Sequence, residues 1–172
     1  VTAAKSPLLS SAAIERLPEQ THVHQFNDNA VRMTRSLGDA AGMHKIGVHL
    51  VRLLPGREST QYHFHHCDEE FIYILAGTGT ARIGDAETPV GTGDFMGFTA
   101  PSAPHSLINN SAADLIYLMG GQRNPIDICD YPDIERRMIR QDGLKFYADW
   151  EDIHDVTITD PPTSRPTTPD HA

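Results

Sequence analysis

The stretch HFHHCDEEFIYILAG, residues 63–77, decides how this chain is read. His63 and His65 stand two apart, Glu70 follows five positions later, and an apolar run then ends at Gly77. In an extended strand successive side chains point to opposite faces, so His63 and His65 share a face and Phe64 takes the other. The same parity puts Glu70, Ile72, Ile74 and Ala76 on one face of the following run, and Phe71, Tyr73 and Leu75 on the other. A turn over residues 66–69 would bring the Glu70 carboxylate back beside the two imidazoles. A carboxylate heading an inward apolar row is expensive unless something compensates its charge, and a cation would do so. Glu69 has the opposite parity, so Glu70 is the expected ligand.

Farther along, His105 opens HSLINN and shares parity with Leu107 and Asn109. It is expected to enter the same interior from a neighbouring strand. His63, His65, Glu70 and His105 together offer three neutral imidazoles and one carboxylate. That set suits one divalent transition metal ion (Fe, Mn, Zn, Ni or Cu) and leaves positions open for a small oxygen-bearing molecule. Glu70 is also the candidate catalytic residue; no separate Ser-His-Asp or Cys-His arrangement is evident, so the metal is expected to carry most of the chemistry. His66 is expected at the rim, since its neighbours claim the inward face. His22-Val23-His24 repeats the H-x-H spacing without a following Glu or glycine frame, and reads as a surface coincidence. His44, His49, His154 and His171 have no identifiable partner. Cys67 lies between His65 and Glu70 and is a candidate for lining the pocket.

Around this core the texture is that of strands. VRMTRSL, KIGVHLVRLL, QYHFHH, EFIYILAG, GTARIG, DFMGFTA, HSLINN and DLIYLMGG are separated by Gly, Pro, Asn and Asp breaks, the rhythm of an all-β sandwich or barrel. GTGTARIG lacks the GK[ST] ending of a phosphate loop and reads as turn and strand. Helix-compatible patches run from Ser11 to Leu17, stopped by Pro18, and from Asp133 to Arg140 behind Pro132. FYADWEDIHDV is a possible last strand. The organisation expected is an N-terminal extension over 1–29, a β-barrel over 30–122, a C-terminal extension over 123–157 that packs on it, and a flexible Pro/Thr-rich tail over 158–172.

The bulk numbers narrow the partners. At 172 residues the chain suits one domain with extra segments. A net charge of -9 disfavours nucleic acid, whose phosphates need Lys and Arg. No apolar run has the length of a membrane span. Two cysteines make no disulfide framework, and a cytoplasmic setting is expected. Arg52, Arg57 and Gln61 precede the histidine pair, where one of them could meet an anionic substrate.

Set side by side, these motifs resemble those of the cupins. Pro55-Gly56, His63, His65, Glu70 and Gly77 follow the first cupin motif, with Gly56 to His63 one residue longer than usual. Gly93-Asp94, His105 and Asn109 follow the second, with Ala100 and Ser102 where Pro and Gly are usual. The resemblance spans roughly residues 46–120. EEFIYILAG, GDFMGFTAPSAPH, LIYLMGG and DICDYPD are similar to a broad group of single-domain cupins. It implies a double-stranded β-helix, the jelly-roll barrel, with short helical or irregular extensions at both ends and the metal at the barrel mouth. Tyr73, Met96, Phe98 and Tyr117 are then candidates for contacting substrate. A homodimer paired through an edge strand is implied. The activity implied is that of a metal-dependent enzyme of oxygenase or isomerase type. The alternative is a non-catalytic, metal-containing small-molecule binder; a purely structural barrel would leave the inward His and Glu without purpose.

Overall fold

The computed structural model describes residues 5–154; the expected tail over 158–172 lies outside them. The strand-like runs become strands in chain order. A short helix α1 (Ser11–Glu15) is capped by the Ser10 hydroxyl, which accepts from the Ala13 amide. It is followed by β1 (Gln20–His24), β2 (Asn27–Ser36), a one-turn helix α2 (Leu37–Ala41) and β3 (Ile46–Leu53). Next come β4 (Phe64–His65), β5 (Glu70–Ala76), β6 (Thr78–Ile83), β7 (Ala86–Gly91), β8 (Phe95–Phe98), β9 (His105–Ile108) and β10 (Leu115–Gln122). The chain closes with β11 (Ile126–Tyr131), β12 (Arg136–Gln141) and β13 (Leu144–Asp149), then a 3-10 turn over Trp150–Asp152.

A six-stranded sheet in the order β1-β2-β3-β10-β5-β8 and a three-stranded sheet β7-β6-β9 form the jelly roll. Both contribute to one apolar core, in which Val51, Leu53, Ile74, Leu107, Leu115 and Tyr117 are essentially inaccessible. Full burial of each such side chain is worth about 1.5–3 kcal/mol. The row from β5 follows the expected parity through Glu70, Ile72 and Ile74, then breaks. A bulge at Leu75 opposite Ile116/Tyr117 shifts the register, so Ala76 is exposed rather than inward.

The third sheet, β13-β12-β11-β4, is built from the last part of the chain and the histidine strand. The stretch expected as a helix, Asp133 to Arg140, is instead a 3-10 turn over Pro132–Ile134 followed by β12. Glu135 sits at φ 49, in the left-handed region, which ends the turn. Beyond it, β11 and β13 pair with both edges of β12; tertiary pairing outweighs the helical leaning of Glu, Arg and Met. At the other end, β1 and the first residues of β2 belong to the six-stranded sheet, so pairing already begins at Gln20.

Asn109, fully buried, ties the end of β9 to the rest. Its amide nitrogen donates to the Leu53 and Ala113 carbonyls, and its Oδ1 accepts from the Ser111 amide and hydroxyl. Asn109→Ala leaves those carbonyls without donors, each buried loss costing about 1–3 kcal/mol. We expect a fall of about 2–4 kcal/mol in unfolding free energy, read as a lower denaturant midpoint with unchanged slope.

Candidate metal centre

β4 is only two residues long because it changes partners. Its Phe64 and His65 pair with Asp130 and Cys129 of β11. One residue earlier, His63 forms a two-way bridge with His105, its amide donating to the His105 carbonyl at 3.2 Å and its carbonyl accepting from the His105 amide at 2.7 Å. His63 and His105 are thereby held side by side, although 42 positions separate them. Across β5, Glu70 lies opposite Gly121 of β10. A Cβ at Gly121 would lie 3.1 Å from Glu70 Cγ and 3.2 Å from Oε1, so the glycine leaves the room that the carboxylate occupies.

These constraints converge on one point. His63 Nε2, His65 Nε2 and His105 Nε2 each lie 3.5 Å from the same atom, Glu70 Oε2. The four expected residues are thus brought together. The far side of each ring explains its orientation. His63 Nδ1 faces the Gln61 carbonyl oxygen at 3.0 Å. His65 Nδ1 faces Asp127 Oδ2 at 2.5 Å. The His105 ring is stacked on Phe98, centroids 3.5 Å apart and planes 3° apart, which fixes its aim despite the altered turn before it.

Charge decides what this cluster can hold. Burial pushes the His63 pKa down, against the pull of Glu70, so the ring is neutral. Its one N–H must sit on Nδ1, because a carbonyl oxygen can only accept. Nε2 therefore presents a lone pair to Glu70 Oε2. Burial of Glu70 raises its pKa, but the His105, His63 and His65 rings outweigh this and hold it well below the usual carboxylate range. Burial lowers the pKa of His65, yet the hydrogen bond to Asp127 and the Glu70 charge leave it raised overall. Two like-signed electron pairs facing each other at 3.5 Å repel unless a cation lies between them. First-row ions bind N and O at about 2.0–2.2 Å, which spaces their ligands roughly 3–3.5 Å apart. His63, Glu70 and His105 have the donor types and mutual spacing for such an ion, and His65 reaches the same carboxylate oxygen.

Asp127 was not singled out in the sequence. It is fully buried; its Oδ1 accepts from the Cys67 and Asp68 amides, and its Oδ2 from His65. Burial raises its pKa, and the His65 contact more than reverses this, so it is ionised. Its signal was an acidic residue at the same parity as Cys129 and Tyr131 in IDICDY. Cys129, not Cys67, lines the site: Cys129 lies with His63 and His65, whereas Cys67 is exposed. His66 bonds Asp130 at 2.9 Å, away from the cluster.

The cluster forms one wall of a cavity of about 390 Å³, within the range of small-molecule sites. Of the four residues expected to contact substrate, Phe98 lines it. Met96 lines a separate hollow, Tyr117 is in the core, and Tyr73 is exposed on the opposite face of β5. His24 and His49 both line the cavity, so His24 is not the surface coincidence expected, and His49, with no partner identifiable in the sequence, faces the same space. Burial is the main cause that lowers both, with the charges of His63, Arg32 and Lys145 adding to it for His24, whose pKa falls to about 4. Both rings are neutral. Arg52 pairs with Glu19 and Asp114, Arg57 with Asn29, and Gln61 is buried; none reaches the cavity. Arg32, Arg140 and Lys145 do.

Among the described residues no helix is long and apolar enough to cross a membrane. The cupin domain profile matches residues 49–120. No curated protein matches the chain. Among solved structures, a protein of Acidithiobacillus ferrooxidans provisionally named a sugar phosphate isomerase is 39% identical; the match covers 88% of this chain and 97% of that one, with a TM-score of 0.86. A sugar phosphate isomerase of the cupin superfamily from Silicibacter pomeroyi is 27% identical over 88% of this chain and 98% of that one, TM-score 0.75. A polyketide cyclase from Streptomyces resistomycificus, 16% identical over 67% of this chain and 80% of that one, shares the fold at a TM-score of 0.52. With its barrel, its two motifs and these relatives, the chain belongs to the cupin superfamily.

Proposed function

We propose that the protein is a metal-dependent isomerase that interconverts the carbonyl and hydroxyl groups of a small sugar phosphate. The observation that carries this reading is the meeting of three imidazole nitrogens at one carboxylate oxygen on the wall of a small-molecule-sized cavity. Two relatives bearing the isomerase name, matched over nearly their full lengths, favour isomerisation over oxygenation.

In this reading His63, His65, His105 and Glu70 hold one divalent transition metal ion. An ion held there would supply Lewis-acid polarisation to the oxygens of a hydroxy-carbonyl compound. The chain supplies the rest. Glu70 Oε2 faces the histidines, while Oε1 lies toward Gly121 and makes no hydrogen bond among the described residues. Glu70 is the group assigned to take a proton from one carbon and return it to the next, while the hydroxyl proton passes to the former carbonyl oxygen. His24 and His49, both neutral, each offer one donor and one acceptor, which matches substrate hydroxyls. His24 Nδ1 accepts from the Phe26 amide at 3.3 Å, so its Nε2–H is the donor. Ile72, Phe98, Met119 and Met138 complete the wall and exclude bulk water.

The chain is further proposed to be a cytoplasmic homodimer. Both cysteines are free, which supports a reducing compartment, and β8 leaves a sheet edge carrying the exposed Phe95, which supports pairing.

Metal-loaded protein should interconvert aldose and ketose phosphates without consuming O₂, and lose this on chelation. Full turnover by metal-free protein would overturn the reading. Glu70→Gln should cut metal affinity by more than about 100-fold, above the loss expected of a group that only orients a ligand. Metal content measured after dialysis reports it. Asp127→Asn should cost about 10–100-fold in metal affinity while the fold is kept, because the His65 ring loses its partner; calorimetric titration with the metal reads this directly.

Acidification should release the metal. His65 has a raised pKa without metal, so it binds a proton before the other ligands as pH falls. Metal and proton compete for this ring, so metal affinity falls with proton uptake as pH drops into and below the histidine range. Occupancy that stays flat through the histidine range would count against His65 as a ligand.

A further inference from the structure

Resting on the isomerase reading, we propose that Arg32 and Lys145 form the subsite for the phosphate group of the substrate, in the same cavity as the histidine–carboxylate cluster. Arg32 belongs to the inward row of β2, between Ala30 and Thr34, both buried. Its Nη1 donates to the Ser59 carbonyl at 2.5 Å, which anchors the guanidinium. Its Nε is buried and finds no acceptor. Among the described residues Arg32 has no carboxylate partner. An unpaired, partly buried guanidinium carries a desolvation cost that a bound anion would offset, and its fork of N–H groups matches phosphate oxygens.

Lys145 comes from β13, paired with Arg140 of β12, and reaches the cavity from the opposite sheet. It too has no ion-pair partner among the described residues. Arg140 differs: it is committed to Asp68 and lies 3.9 Å from Asp127. Glu70 is the one acidic residue lining the cavity, and it is taken up by the histidines. Two uncompensated cations therefore face this space from two sheets. A doubly charged phosphate ester has the charge and the acceptors that such a pair requires; a neutral sugar has neither.

The test uses the metal-loaded protein and two probes, inorganic phosphate in calorimetric titration and a sugar phosphate in turnover. Phosphate is expected to bind at constant ionic strength and to compete with the sugar phosphate. Arg32→Met and Lys145→Met should each weaken phosphate binding about 10–100-fold, the loss of a hydrogen bond to a charged group, and raise KM more than they lower kcat. Metal content should not change, and Arg32→Lys should restore part of the binding. Lys145 is exposed, so its substitution leaves the fold intact. Phosphate binding that is absent, or equal in wild type and both variants, overturns the subsite. Turnover with KM indifferent to both substitutions overturns it while the isomerase reading stands. Binding that depends on both residues, without turnover of any sugar phosphate, supports the subsite and sinks the isomerase reading.

Discussion

A buried carboxylate that faces lone pairs is the constraint on which this structure turns. Glu70 is ionised inside the barrel, and at least one imidazole beside it, His63, is neutral with its proton committed to the far side. Such an arrangement is repulsive as it stands and costs several kcal/mol per uncompensated charge. A cation at its centre would relieve that repulsion, as would a proton on His65, whose pKa is raised. The local geometry supports that same point. The bridge between His63 and His105 fixes two rings, the Phe98 stack aims one of them, and the missing side chain at Gly121 leaves space for the carboxylate. None of these features would be needed by a barrel that only packs.

The C-terminal sheet is part of the site rather than an attachment to it. The turn between the histidine pair and Glu70 has few apolar residues of its own to bury. It is held instead by groups from β10 through β12. Asp127 accepts from the Cys67 and Asp68 amides, Gln122 exchanges hydrogen bonds with Glu69, and Arg140 pairs with Asp68. A turn fixed in this way sets the distance from His65 to Glu70. One residue, Asp127, both holds the turn and sets the proton on His65, so loop position and ligand chemistry are coupled through a single carboxylate.

The four clustered residues were legible because strand periodicity is strict. Period-two parity says which side chains share a face, and neither His63, His65 nor Glu70 needs long-range information beyond a turn. His105 was legible from its own parity with Leu107. The contributions of β1, β2 and β11 to β13 were not. His24 and Arg32 face inward only because β1 and β2 join the sheet, a pairing that no local pattern in His22-Val23-His24 announces. Asp127 acts on a residue 62 positions away. The run from Asp133 to Arg140 shows the opposite failure: its residues favour a helix locally, and two neighbouring strands override them. Among the substrate-facing candidates, large size near a motif selected core residues such as Tyr117 as readily as the cavity residue Phe98, because size does not encode facing.

The net charge of -9 has to be weighed against distance. It argues against a polyanion, which would meet the whole surface at once. It says little about a small anion in a cavity. At physiological ionic strength charges more than about 8 Å apart across solvent are largely screened. Inside a cavity walled by Ile72, Phe98, Met119 and Met138 the screening is weaker, and nearby cations dominate the local potential. An acidic protein can therefore present a positive interior, and the charge that matters for a ligand is that of the residues lining its path.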